Sequence, residues 1–138
     1  LSEYKRAVDA GAIVSKTNKN GIITYVNDAF VKISGYTRKE LLGKPQNIIR
    51  HPQTSSEIFQ EMWEKLLNKE VWQGDLKNRK KDGTSYYVYG TIVPILDEKD
   101  SIVEFLAIRY DTTILHEAIT RATIAEKAKG SFLANMSH

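Results

Sequence analysis

The sequence contains no cysteine, three prolines among its 138 residues, and no long apolar run. The lack of cysteine excludes disulfides, metal sites built on thiolates and any photochemistry that requires a cysteine adduct. No stretch approaches the roughly 18 apolar residues of a membrane-spanning helix, and no signal peptide is visible. The net charge of +3 is small and the basic residues are scattered, so nucleic-acid binding has little support.

What remains is sufficient for one domain and an appendage. Hydrophobic residues make up 41% of the chain, which is enough for a core, and 27% of the residues are charged, which favours a well-solvated surface. With no cysteine and no membrane span, we expect this stretch to be cytoplasmic. A membrane anchor elsewhere in a longer parent protein is compatible with that expectation.

Residues 1–45 carry signals for short elements joined by tight turns. Residues 1–11 are predicted to form an N-terminal cap helix that ends at Gly11. Two strands, residues 12–16 and 22–26, flank an Asn-Gly pair that favours a hairpin. Asn27 is expected to cap a short helix ending at Gly35, and Thr37 with Glu40 forms a capping box for the next one.

The second half changes from helical to alternating periodicity. A longer helix starting at Ser55 or Ser56 should bury its apolar residues, which recur at three-to-four spacing: Ile58, Phe59, Met62, Trp63, Leu66 and Leu67. From Trp72 the period becomes two, and turns separate three strands at about residues 72–79, 85–95 and 102–110. This order predicts an α+β fold with a five-stranded antiparallel sheet and helices on one face.

Several strings between residues 12 and 113 resemble the PAS sensor family. They are GIITYVNDAF (21–30), SGYT (34–37), ELLGKP (40–45), NRKKDG (78–83) with YYV (86–88), and DTT (111–113). The resemblance implies the PAS fold for residues 12–113. It also implies a sensor domain whose output leaves through the chain that follows.

Residues 114–138 form a helix-compatible appendage with apolar residues at heptad spacing. The seam consists of Leu115, Ala118, Ala122, Ala125, Phe132 and Met136, and Lys129 interrupts it. We expect a signalling helix that forms a parallel dimeric coiled coil. The alternative is a helix that packs back on its own domain.

The last eight residues, SFLANMSH, resemble the start of the phosphoacceptor box of two-component histidine kinases. The resemblance implies that His138 is the phosphoacceptor and that a longer parent protein continues past it. An imidazole is a neutral nucleophile near pH 7 and can accept a phosphoryl group. A kinase ATP-binding domain and a response regulator would be partners of that parent protein.

A small-molecule site is predicted near residues 48–52 and 63–80. IIRHP (48–52), MW (62–63), VWQG (71–74) and KNRK (77–80) resemble the flavin-binding PAS domains of aerotaxis transducers. The resemblance implies FAD as cofactor, with these positions at or near the pocket: Asn27, Arg50, His51, Trp63, Trp72 and Asn78. Haem bound through His51 and a pocket without any cofactor remain alternatives. No metal site is predicted.

From the residues alone, Asn78 lies in phase with Trp72 and Leu76 and should point into the core. A buried amide without partners costs about 1 to 3 kcal/mol, so Asn78 must bind backbone, water or a ligand.

The function that these features favour is the sensor domain of a sensor histidine kinase. A cofactor-free dimerisation module and a chemotaxis-type redox transducer are the alternatives. No Gly-rich phosphate loop, GxSxG or HExxH motif occurs, and no ATP-binding domain is present, so this stretch alone should be inactive as a kinase.

Overall fold

A computed structural model describes residues 11–136 of the chain. The fold begins with strands β1 (Ile13–Asn18) and β2 (Ile23–Val26), which pair antiparallel. The turn between them ends at Gly21, whose φ of 82° is the left-handed conformation that an Asn-Gly turn requires. This hairpin was predicted. The predicted cap helix at residues 1–11 lies almost wholly outside the described residues.

Four short helical elements follow β2 and lie against one face of the sheet. They are α1 (Asp28–Ser34), α2 (Arg38–Leu41), a 3₁₀ turn (Gln46–Ile49) and α3 (Ser56–Leu67). Asn27 caps α1, which ends at Gly35 with φ of 78°, and Thr37 and Glu40 form the predicted capping box of α2. The side chain of Ser55 caps α3.

Strands β3 (Trp72–Arg79), β4 (Ser85–Leu96) and β5 (Ile102–Asp111) complete the sheet. The order across the sheet is β2-β1-β5-β4-β3, and every pair is antiparallel. The first strand therefore pairs with the last, which brings β1 beside the strand that leads out of the domain. The predicted five-stranded antiparallel sheet is confirmed.

The core lies between the sheet and the helices, with Phe30, Leu41 and Val88 fully buried. The prediction for α3 was partly wrong. Met62 and Leu66 are buried, but Leu67 is 64% exposed and Trp63 is 38% exposed. Trp63 and Leu67 each follow a buried residue by one position, which is a rotation of about 100° around the helix. The buried face of α3 is therefore narrower than the sequence suggested.

The final helix, α4 (Thr113–Met136), buries none of its residues, and after Thr113 every described residue of the helix is exposed. The alternative in which it packs back on its own domain is therefore wrong. The side chains of the predicted heptad seam are exposed to solvent, among them Leu115, Phe132 and Met136. Within residues 11–136, no helix has the length and apolarity required to cross a membrane.

Candidate functional site

A cavity of about 260 Å³ lies between the inner face of the sheet, the 3₁₀ turn and α3. Small-molecule sites commonly measure about 300 to 1,000 Å³, so this volume is slightly below that range. Its walls are largely apolar and come from Ile49, Phe59, Met62, Leu76 and Ile92. The turn before β2 and the start of the 3₁₀ turn also line the cavity, which is partly open to solvent. The cavity therefore combines an apolar body with access to solvent.

Three side chains that line this cavity each carry a buried nitrogen without a hydrogen-bond partner. The atoms are Nε2 of Gln46, Nδ2 of Asn78 and Nη1 of Arg109. Buried polar groups in native proteins are nearly always bonded, and each unsatisfied one costs about 1 to 3 kcal/mol. Because all three atoms are donors, the cavity is suited to a ligand that presents hydrogen-bond acceptors.

Arg109 is 4% exposed and belongs to a buried polar chain that crosses the sheet. Its Nη2 donates to Oγ of Ser15 at 3.1 Å, and that hydroxyl lies 3.5 Å from Oε1 of Gln46. The guanidinium also lies 5.4 Å from the centre of the Phe30 ring. Burial lowers the pKa of Arg109 to about 10, which still leaves it charged at neutral pH.

Asn78 lies on the inner face of β3 opposite Tyr86 of β4, as its phase in the strand predicted. It is 4% exposed, and its backbone also bridges to Arg50 beside the 3₁₀ turn. Burial raises the pKa of Tyr86 to about 12, so its phenol is neutral at physiological pH. The backbone of Asn78 is therefore fixed on two sides, and its side-chain nitrogen faces the Tyr86 phenol without a hydrogen bond of good geometry.

Trp63 and Arg50 form the outer part of the cavity wall. The indole packs edge-on against Phe105, with ring centres 5.4 Å apart. The Arg50 guanidinium lies 4.0 Å from the centre of the Phe59 ring. Both side chains place a flat group at the boundary between the apolar interior and solvent, where a planar ligand can stack.

The structure thus brings together three of the predicted site residues: Arg50, Trp63 and Asn78. Asn27 lies elsewhere, between β2 and α1 in the chain and beside the start of β1. Its Oδ1 accepts from the N–H groups of Val14 and Phe30, and its Nδ2 donates to the carbonyl of Ala12 at 2.7 Å. These bonds to backbone give Asn27 a structural role, and it does not line the cavity, so its predicted contact with a cofactor stays a prediction.

His51 and Trp72 also do not line the cavity. Nδ1 of His51 accepts the N–H of Gln53, and burial together with the charges of Lys77 and Arg79 lowers the pKa of the imidazole. Trp72 is part of the hydrophobic core and covers Gly74, where an added Cβ would lie 2.7 Å from the indole. Their prediction as pocket residues is not supported by this geometry.

Sequence reasoning missed Arg109 and Gln46. The signal for Arg109 was present, because Phe105, Ala107 and Arg109 alternate onto the buried face of β5. An arginine at an inward position of a strand needs a partner or a ligand. Gln46 lies in an irregular segment, so periodicity could not have indicated its orientation.

The junction between β5 and α4 is fixed by contacts with Tyr87 on β4. Oγ1 of Thr113 accepts the N–H of Tyr87, and the N–H of Thr112 donates to the Tyr87 carbonyl. The ring of His116 stacks on the Tyr87 ring with centres 3.7 Å apart. The first turn of α4 is therefore tied to the sheet, two residues after the strand that carries Arg109 ends.

Within residues 11–136, no group of acidic and histidine side chains is arranged to hold a metal ion.

This fold and the cavity beneath its sheet are those of a PAS domain, and a PAS domain family model matches residues 9–113. The chain belongs to that family. Its sequence is 40% identical over 105 residues to the aerotaxis receptor of Escherichia coli, a match that covers 76% of this chain and 21% of that protein. PAS domains of such signal-transduction proteins act as sensors.

Two further proteins extend the comparison. A hybrid signal transduction histidine kinase of Dictyostelium discoideum is 35% identical over 95 residues, which is 68% of this chain and 5% of that protein. A light-oxygen-voltage domain studied with a flavin analogue superposes with a TM-score of 0.75 over 94% of this chain and 96% of that one, at 20% identity. The chain thus spans a small part of the curated relatives described.

Proposed function

We propose that this PAS domain binds FAD, with the flavin ring in the cavity of about 260 Å³, and that it is the input domain of a sensor histidine kinase. The observation that carries the ligand half of the proposal is the set of three unbonded donors on Gln46, Asn78 and Arg109. An isoalloxazine ring presents carbonyl oxygens and ring nitrogens as acceptors along one edge, which is the chemistry that these donors require.

The surroundings of the donors suit the rest of such a ring. Trp63 and the apolar walls offer flat and aliphatic surface, and Asn78 offers its amide nitrogen at the polar end. The similarity to the aerotaxis receptor supports this ligand, because the resemblance to flavin-binding PAS domains rests on the same segments. A flavin would supply reversible redox chemistry, so the stimulus would be the redox state of the cell.

The signalling half of the proposal rests on the chain after β5. The exposed seam of α4 is available to a second copy, and in the sequence His138 is two positions after Met136, where the helix ends. The similarity to a hybrid histidine kinase supports the same assignment. We infer a dimer through α4. The ATP-binding domain of the parent protein would phosphorylate His138, and the phosphoryl group would then be transferred to a response regulator.

A change at the cavity would reach α4 by a short path. Arg109 is on β5, and Thr113 and His116 bind α4 to Tyr87 of the neighbouring strand. A shift of β5 against β4 would therefore alter the direction in which the helix leaves the sheet. Two arrangements of the dimeric helix would then present His138 differently to the kinase domain.

The absorption spectrum of the freshly purified chain tests the ligand. We expect the two visible bands of oxidised flavin, and release of FAD into solution on heating. The Asn78→Leu variant should be purified with much less flavin, whereas the Asn68→Leu control, at the exposed end of α3, should retain it. A colourless chain would contradict the FAD assignment and leave the cofactor-free dimerisation module, and a Soret band would indicate haem instead.

The parent protein tests the output. We expect ATP-dependent phosphorylation that is lost in His138→Gln and kept in His116→Gln. The similarity to the aerotaxis receptor favours a chemotaxis-type transducer as the second candidate function. Phosphorylation that is unaffected by His138→Gln would contradict the kinase assignment and favour that transducer.

A further inference from the structure

The cavity contains a buried cation without a buried anion. Arg109 is 4% exposed, and its polar contact is a neutral hydroxyl, Oγ of Ser15. In the described part of the chain, both ion pairs lie elsewhere, between Arg38 and Asp28 and between Lys81 and Glu40. Moving an unpaired charge out of water is costly, and among residues 11–136 no carboxylate pairs with Arg109 to offset that cost.

The groups that face the guanidinium do not remove this imbalance. The Phe30 ring lies 5.4 Å away and offers a weak electrostatic attraction. Tyr86 is a neutral phenol at physiological pH. The other two unbonded atoms at the cavity, on Gln46 and Asn78, are also hydrogen-bond donors. The three unbonded atoms at the cavity are therefore all hydrogen-bond donors, and one of them belongs to a cation.

The sheet also keeps space for this arginine. Gly74, Gly90 and Arg109 form one row across β3, β4 and β5. A Cβ at Gly90 would lie 3.3 Å from Cγ of Arg109, which is tighter than ordinary contact. Since a larger residue at Gly90 would push the arginine stem away, the absence of a side chain there lets Arg109 lie along the inner face of the sheet.

We propose that Arg109 selects the ligand by charge, so that the cavity binds a flat aromatic or heterocyclic ligand through an anionic group. A carboxylate or a deprotonated ring nitrogen is acceptor-only and would satisfy Nη1 of Arg109 together with the nitrogens of Gln46 and Asn78. This inference rests on the proposed small-molecule site. A flavin meets the condition in its reduced form, whose ring carries a negative charge near neutral pH.

A pair of probes that differ in charge and share one shape tests the selection. The chain is first washed with mild denaturant to remove any bound molecule and then returned to buffer. Binding of 2-naphthoate and of 2-naphthamide is measured by calorimetry. We expect the wild-type chain to bind the anion at least tenfold more tightly than the neutral amide. Equal affinities, or no binding of the anion, would overturn the proposal.

Variants assign that preference to Arg109. In Arg109→Met, which keeps an apolar stem, the preference for naphthoate should disappear, and in the control Arg79→Met, on the exposed face of β3, it should persist. Gly90→Ala crowds the aliphatic stem of Arg109 without removing its charge, so it should reduce the preference for naphthoate. This variant replaces Arg109→Met in the test if Arg109→Met does not fold. A preference that survives both Arg109→Met and Gly90→Ala would overturn the role of Arg109.

Failure of this inference is distinguishable from failure of the proposed FAD assignment. A chain that prefers naphthoate but never contains flavin would retain charge selection by Arg109 and reject FAD. A chain that contains flavin but binds the two probes equally would retain FAD and reject charge selection.

Discussion

Two buried asparagines, in different regions of the domain, are each 4% exposed and have opposite bonding. Asn27 joins β1, its preceding backbone and α1 through three hydrogen bonds to main-chain atoms. Asn78, beside the cavity, has a side-chain nitrogen without a partner. Burial alone thus does not separate an amide bonded to backbone from one with an unbonded donor, whereas the inventory of hydrogen bonds does.

The regions around the two residues repeat the same difference. Around Asn27 the chain is tightly packed, with Phe30 and Val26 fully buried. Around Asn78 the packing leaves a cavity, and Gln46 and Arg109 share its unsatisfied donors. Removing a side chain should therefore affect folding in the first region and ligand binding in the second.

The largest effect is expected for Asn27→Ala. The substitution removes the cap of α1 and leaves the N–H of Val14 and the carbonyl of Ala12 buried without their side-chain partner. With about 1 kcal/mol for the cap and about 1 to 3 kcal/mol for each of the two unsatisfied groups, we expect a loss of about 3 kcal/mol or more. Urea unfolding followed by circular dichroism measures it. A loss below about 1 kcal/mol would contradict the structural role of Asn27.

The sequence predicted the fold because its signals were local. The caps at Asn27 and Thr37, the glycine turns and the alternation in β3 to β5 each specify one element, and together they give the sheet. The site was predicted in part, since Asn78 and Trp63 could be placed by phase and resemblance. Arg109 and Gln46 could not be assigned to it, because their proximity depends on the pairing of the first strand with the last.

Asn78→Leu tests the other half of the comparison. Because Nδ2 of Asn78 has no hydrogen-bond partner in the protein, replacing the amide with a side chain of similar size should change the free energy of unfolding by about 1 kcal/mol or less. Affinity for the ligand should fall by about tenfold or more, since the hydrogen bond lies in a desolvated site. Urea unfolding and flavin content measure the two effects. A large loss of stability with unchanged flavin content would reverse the comparison.

Phe132→Gln tests whether exposed apolar side chains on α4 also mark a binding surface, in this case for a second copy of the chain. Phe132 is 63% exposed and lies on the predicted seam, so its loss should weaken the dimer by about tenfold without changing the stability of the PAS domain. Leu133→Gln is the control, because Leu133 is similarly exposed but lies beside the seam. Sedimentation equilibrium measures dimerisation. Equal dimerisation of the wild type and Phe132→Gln would reject this seam.

The smallest effect is expected at an exposed cap, which separates the contribution of burial from that of capping. Glu40 accepts from Nζ of Lys81 at 2.7 Å and from the N–H of Thr37 at 3.0 Å, and these bonds lower its pKa to about 2. Since the pKa is lower in the folded state, the carboxylate stabilises the domain above the unfolded value of 4.5, and this stabilisation is lost as the pH falls toward 2.

Glu40→Gln should therefore flatten the acid side of the stability curve between pH 4.5 and pH 2 and leave the difference from wild type largest at neutral pH. Lys81→Met should remove part of the same dependence, because it keeps the capping box while removing the cation. Thermal unfolding at a series of pH values measures both variants. If the stabilities of Glu40→Gln and the wild type differ by the same amount at every pH, the lowered pKa of Glu40 is contradicted. If the loss of stability at neutral pH equals that of Asn27→Ala, burial does not explain the larger effect expected at Asn27.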